Sequence, residues 1–143
     1  MELIKLHPNA QTPTLGSEGA AGYDIYMPED GELHAGAYHS QLTRLGFAMK
    51  VPAGHVALIL PRSGAGAKQG VELRNTCGVI DSDYEGEWMA CIKTKEGHEL
   101  SWKAGDRLLQ FVIVPCCQFE ITEVKDFSKK SDRGAGGFGS TGQ

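Results

Sequence analysis

His55-Val56-Ala57-Leu58-Ile59-Leu60-Pro61-Arg62-Ser63-Gly64 is the stretch on which the fold turns. Residues 56–60 are apolar at every position, a run of strand length rather than helix length, and proline and glycine close it off. With no polar position in the run, both faces of this strand are expected to be covered. Similar runs at residues 3–6, 47–51, 78–80, 88–93, 107–114 and 119–124 read as further strands. Turn signals separate them, among them Pro28-Glu29-Asp30-Gly31, Pro52-Ala53-Gly54 and Ala104-Gly105-Asp106. No stretch of a dozen residues carries helical periodicity. The best helix candidate is a turn or two across residues 64–70, where the glycines work against it. The pattern predicts an all-β barrel or sandwich.

A chain of 143 residues makes one domain. Hydrophobic residues at 41% and charged residues at 22% are ordinary for a folded globular protein, which excludes wholesale disorder. Lys plus Arg number 14 against 18 for Asp plus Glu, and a net charge of −4 speaks against a grip on long nucleic acid. No apolar stretch reaches membrane-spanning length and residues 1–5 lack a signal-peptide pattern, so no membrane contact and a cytoplasmic setting are expected. Cys77, Cys91, Cys116 and Cys117 have no C-x-x-C spacing, and the adjacent pair reads as reduced, buried small hydrophobes. The five histidines are scattered, and direct protein ligation of a metal is not expected. Residues 128–143 are rich in glycine and lack aliphatic core residues, so the chain divides into a β-domain over 1–127 and a mobile tail over 128–143.

Five segments concentrate glycine with groups that do chemistry. Gly19-Ala20-Ala21-Gly22-Tyr23-Asp24 places a carboxylate after a small-residue bend. Pro61-Arg62-Ser63-Gly64 ends a strand in a guanidinium, a hydroxyl and an approachable backbone N–H, the parts that hold phosphate oxygens. Residues 75–89, Asn-Thr-Cys-Gly-Val-Ile-Asp-Ser-Asp-Tyr-Glu-Gly-Glu-Trp-Met, read as a β-hairpin with an acidic turn. Asp83 and Glu85 suit a solvated turn, whereas Asp81, adjoining Val79 and Ile80, suits a general base on water. In Gly105-Asp106-Arg107-Leu108-Leu109-Gln110, the i and i+3 spacing of Arg107 and Gln110 on a strand sends them to opposite faces. The tail combines Arg133, several glycines, Phe138, Ser140 and Thr141, the makings of a lid over a nucleoside triphosphate, although no G-K-[ST] of a Walker loop follows.

In this order the five segments resemble the five motifs of the trimeric dUTPases, the deoxyuridine triphosphate nucleotidohydrolases, from about residue 19 to the C-terminus. The resemblance implies a jelly-roll protomer, a homotrimer with active sites shared between subunits, and dUTP as small-molecule substrate. It implies that Asp81 activates the water that attacks the α-phosphate, giving dUMP and pyrophosphate. Mg²⁺ would be carried by the phosphates, with no direct protein ligand and with Asp24 reaching it through water. Uracil would be read by Asn75 and by the main chain at Val79, Ile80 and Met89. Tyr84 would lie under the deoxyribose and reject a 2′-hydroxyl. Arg62, Ser63, Gly64 and Gln110 would hold the phosphates. From the tail, Phe138 would stack on uracil while Arg133, Gly139, Ser140 and Thr141 close over the terminal phosphates. Arg74 before Asn75, and Ala65-Gly66-Ala67 after the Ser-Gly pair, depart from the family pattern. A deaminase acting on dCTP on the same fold would need a catalytic Glu, and the Asp81-Ser82-Asp83-Tyr84 run with its Phe138 tail fits dUTP hydrolysis better. A pure nucleotide-binding module would have no use for Asp81 together with Arg133.

Overall fold

The computed structural model describes residues 1–34, 40–95 and 98–137. Among these are twelve strands and one short helix. In chain order they are β1 (Leu3–Lys5), β2 (Thr14–Leu15), β3 (Tyr23–Ile25), β4 (Gly31–Leu33), β5 (Ser40–Arg44), β6 (Phe47–Met49) and β7 (His55–Pro61). Then follow α1 (Ser63–Gln69), β8 (Val71–Leu73), β9 (Gly78–Ile80), β10 (Met89–Thr94), β11 (Leu100–Trp102) and β12 (Leu109–Pro115). The strands pair antiparallel throughout, in a five-stranded sheet of order β2-β3-β12-β7-β9, a three-stranded sheet β5-β10-β8, and the pairs β1-β6 and β11-β4. This is an all-β fold of jelly-roll type.

One apolar cluster joins the sheets. Trp88 is fully buried at its centre, 5.4 Å from the Phe47 ring and edge-on to Phe111 at 5.2 Å. Its indole N–H donates to Met49 O at 3.1 Å, so the one polar atom of the ring is satisfied. Along β7 only Ala57 and Ile59 are fully buried, while Val56, Leu58 and Leu60 on the opposite face are half-buried. The expectation that both faces are covered therefore holds for one face within a single chain.

Four other expectations need correction. Residues 119–124 form no strand; Phe119, Ile121 and Val124 stand in solvent at 83%, 95% and 57% exposure, and no strand among the described residues pairs with them. Cys116 and Cys117 are exposed, since the chain leaves the sheet at Pro115. The segment 75–89 is no hairpin. Its two strands belong to different sheets, β9 pairing with β7 and β10 with β5 and β8, and residues 81–88 cross between them as Trp88 enters the core. Arg107 precedes β12, so strand alternation does not govern it. The doubtful helix does form. Ala65 is buried, Gly66 N–H donates to Arg62 O at 2.8 Å, and Gly70 takes the left-handed conformation (φ 68°) that ends the helix. No helix of the described residues is long and apolar enough to cross a membrane.

Candidate active site

Apart from the tail, the segments singled out in the sequence gather into two clusters. The first is built where β7 gives way to α1. Asp24, at 4% exposure, sits between two guanidinium groups: Arg62 Nε lies 2.7 Å from Oδ1 and Arg107 Nη1 lies 3.1 Å from Oδ2. Arg62 Nη1 also donates to Arg107 O at 3.2 Å, and Arg107 lies 5.9 Å from the centroid of the Tyr26 ring. Two cations against one carboxylate leave a net positive corner, aligned and partly exposed. Beside it opens a cleft of about 620 Å³, lined among others by Arg62, Lys68, His98, Ser101 and Arg107. Ser63 and Gly64 are exposed at the start of α1.

Gln110 belongs to the same corner, directly opposite Asp24 in the β3–β12 register. Its amide donates to Pro61 O at 3.2 Å, tying β12 to the residue before Arg62. The side chain crosses Gly22 so closely that a Cβ there would stand 2.6 Å from its Oε1. A larger residue at 22 would therefore displace the Gln110 amide from this position.

The second cluster surrounds β9, the edge strand of the five-stranded sheet. Its pairing with β7 uses one side only, so its other side presents main-chain donors and acceptors without a strand partner among the described residues. Before β9, residues 74–77 turn tightly: Thr76 N–H donates to Leu73 O at 2.9 Å and Cys77 N–H to Asn75 O at 2.7 Å. Thr76 has φ 67°, and among the described residues no other non-glycine has positive φ. A β-branched residue there is strained, and the strain sits beside the exposed Asn75. Arg74 points away, donating to Ser40 Oγ at 3.3 Å.

Asp81 is exposed immediately after Ile80, and its carbonyl accepts from Tyr84 N–H at 3.2 Å. Tyr84 folds back so that its hydroxyl donates to Glu87 O at 2.9 Å. Val79 and Met89 are exposed, while the Ile80 side chain is buried with only its main chain at the edge. Lys50 anchors the acidic loop from β6, donating to Glu85 Oε1 at 2.8 Å.

A single chain does not bring Asp81 to Arg62. Ile80 pairs with Ala57, which puts Asp81 at the level of Val56, while Arg62 lies six residues further along β7. At about 3.3 Å per residue the separation is roughly 20 Å. Arg133 Nε donates to Gly136 O at 3.0 Å within the tail's own turn, and no ion pair joins it to the barrel among the described residues. Phe138, Gly139, Ser140 and Thr141 lie outside the described residues. Sequence reasoning gives Arg107 no role, although its Gly-Asp-Arg setting is a signal; nothing local marks Glu87, whose partners are some forty residues away.

The dUTPase family model matches residues 8–142. The chain belongs to the dUTPase family. Among named dUTPase relatives, the deoxyuridine 5′-triphosphate nucleotidohydrolase of Paraburkholderia phytofirmans is 41% identical, covering all of this chain and 97% of the relative. That of Wolinella succinogenes is 39% identical, covering all of this chain and 94% of the relative. A dUTPase of Staphylococcus bacteriophage 80alpha, solved with dUpNHpp, superposes with a TM-score of 0.87 at 27% identity, covering 99% of this chain and 98% of that one. The dUTPase of phage phi11, whose structure concerns a structural Mg(II) ion, superposes with a TM-score of 0.78 at 25% identity over 90% of this chain and 98% of that one.

Proposed function

We propose that this dUTPase hydrolyses dUTP to dUMP and pyrophosphate at sites shared between copies of the chain, with Asp81 as general base. The observation that carries this reading is the edge of β9, where free main-chain groups, Asn75, Asp81 and Tyr84 stand within one turn and one loop of each other. Fixed main-chain donors and acceptors distinguish uracil from cytosine by their opposite hydrogen-bonding edges, and a close-fitting edge has no room for the 5-methyl group of thymine. Tyr84, held by its hydroxyl, offers a ring face to the deoxyribose and no space for a 2′-hydroxyl.

In the chemical step a water oxygen attacks the α-phosphorus and its proton passes to the Asp81 carboxylate. The bond from the α-phosphorus to the bridging oxygen breaks, and pyrophosphate leaves with that oxygen. Little covalent work falls to the protein, so positioning and charge neutralisation carry the rate. Arg62 and Arg107 supply positive charge to the phosphates, with Asp24 fixing both guanidinium planes. Ser63, Gly64 and Gln110 line the same corner and contribute the polar groups of a phosphate site.

Both oxygens of Asp24 already accept from arginine and the side chain is buried, which argues against direct chelation of a cation by this carboxylate. A Mg²⁺ ion brought in with the triphosphate would add charge neutralisation at the phosphate oxygens. The hard oxygens come from the nucleotide, as suits this ion.

The separation of roughly 20 Å between Asp81 and Arg62, at the rise of a strand, supports a site that draws β9 from one copy and the arginine corner from another, in a homotrimer. The outer face of the five-stranded sheet supports the same reading. Val56, Leu58, Leu60, Val79, Val112 and Val114 share it by register, and none of the six is buried. The tail would close over the third side, bringing Arg133, Phe138, Gly139, Ser140 and Thr141 to the nucleotide and excluding bulk water. Four free thiols suit the reducing cytoplasm, where removal of dUTP keeps uracil out of DNA and supplies dUMP for thymidylate synthesis.

The test is pyrophosphate release from dUTP, dCTP, dTTP and UTP, with Mg²⁺ and with chelator. Release from dUTP alone, dependent on Mg²⁺, is expected, and Asp81→Asn should bind dUTP without turnover. Ammonia release from dCTP would contradict the reading.

A further inference from the structure

Residues 81–88 carry both the base and the sugar-facing ring, yet no ladder partner holds them as they cross between two sheets. Beside the Lys50–Glu85 ion pair, the contacts that hold them converge on Glu87. Its side chain is only 14% exposed, with Oε1 accepting from Gly46 N–H at 3.1 Å and Oε2 accepting from Arg44 Nε at 2.7 Å. Its main-chain oxygen accepts the Tyr84 hydroxyl at 2.9 Å.

The anchor itself is rigid. Gly46 has φ 77° and is packed so closely that a Cβ there would lie 3.0 Å from Pro28 Cβ and 3.1 Å from His7 Cβ. Its carbonyl accepts from Leu6 N–H at 2.7 Å and from His7 N–H at 3.1 Å. On either side of this point the main chain continues the link, Leu45 N–H donating to Trp88 O at 3.0 Å and Trp88 N–H to Phe47 O at 2.9 Å. The Glu87 carboxylate thus fills the place of a missing ladder bond. Gly86 completes the device: a Cβ there would stand 2.5 Å from the Tyr84 hydroxyl, so only glycine lets the phenol cross the main chain to reach Glu87.

We infer that Glu87, clamped between Arg44 and Gly46, is the positioning residue that fixes the Tyr84 ring and thereby sets discrimination against a 2′-hydroxyl. This rests on the dUTP reading of the site. Loosening Glu87 frees the loop 81–88, and a ring that can retreat admits a ribose. A merely structural role would lower activity on both nucleotides by the same factor; a positioning role changes their ratio.

The experiment measures kcat/KM for dUTP and for UTP in the full-length protein and in Glu87→Ala and Glu87→Gln. Glu87→Gln keeps an acceptor for Gly46 N–H and should hold the dUTP:UTP ratio within about twofold of the unaltered protein. Glu87→Ala should lower the ratio by about tenfold. Tyr84→Phe should lower it as well, and the Tyr84→Phe/Glu87→Ala double variant no further than the larger single effect, because the two act on one ring. An unchanged ratio in Glu87→Ala overturns the inference. Should that variant fail to fold, Arg44→Ala removes the exposed half of the clamp; a fall in its ratio is expected and an unchanged ratio overturns the inference. Failure of the unaltered protein to hydrolyse dUTP would instead overturn the underlying reading, so the two failures are distinguishable.

Discussion

Asp24 shows how one side chain serves two others. The carboxylate is buried, but its arginine partners are 34% and 43% exposed, so each guanidinium can rehydrate if the charge is removed. Asp24→Asn retains the shape and loses the charge. We expect a loss of about 2 kcal/mol in folding stability, less than for a pair buried on both sides. Urea unfolding measures that loss. The same substitution should raise KM for dUTP more than it lowers kcat, because the arginines remain present but are no longer aligned. A stability unchanged from that of the unaltered protein would mean the ion pairs contribute nothing.

At the scale of elements, the loop 81–88 is pinned by side chains where backbone pairing is lacking, and this gives it a pH signature. The Lys50 ammonium holds the Glu85 carboxyl below its ordinary value of 4.5, chiefly through their hydrogen bond. The carboxylate in turn holds Lys50 above its ordinary 10.5. A depressed acid stabilises the fold above its unfolded value and loses that contribution as pH falls through the folded value. A raised base stabilises the fold below its unfolded value and loses that contribution as pH rises through the folded value. The pair is therefore intact across neutral pH. The denaturation midpoint of Glu85→Gln should lie slightly below that of the unaltered protein at about pH 7, with the difference shrinking as pH falls through the folded value of Glu85. A difference that persisted in acid would assign it to packing.

The elements also differ in how far they could be read from the sequence. β7, β9 and β12 are legible because each is a run of β-branched or aliphatic residues closed by turn residues. β2, β4, β8 and β11 are two or three residues long and exist only through the partner each finds across the sheet, which no local pattern records. The site divides the same way. Asp81, Arg62 and Asn75 stand in recognisable motifs, while the Arg44–Glu87 clamp joins residues 43 apart. The hairpin expectation failed because β9 and β10 find their partners in different sheets, with Trp88 entering the core between them.

At the scale of the whole molecule, a chain that leaves Val56, Leu58, Leu60, Val79, Val112 and Val114 incompletely covered, with Phe119, Ile121 and Phe127 exposed on the segment after β12, invites burial against other copies. Leu58→Asp should leave the chain folded, since its side of the sheet is not fully covered in one chain. It should reduce the mass seen by sedimentation from three chains to one and abolish turnover. An unchanged mass would remove this face from the interface. The alternating apolar residues at 119 and 121, unpaired in one chain, would gain a strand edge from a neighbour in the same assembly.

An active site that takes Asp81 from one copy and Arg62 from another can be rebuilt by mixing two inactive proteins. Asp81→Asn and Arg62→Gln, each inactive alone and each folded by circular dichroism, would be unfolded together in equal amounts and refolded. A shared site predicts recovery of about a quarter of the turnover of the unaltered protein, because random assembly leaves that fraction of sites with both groups intact. A mixture as inactive as its two parents would contradict the shared site.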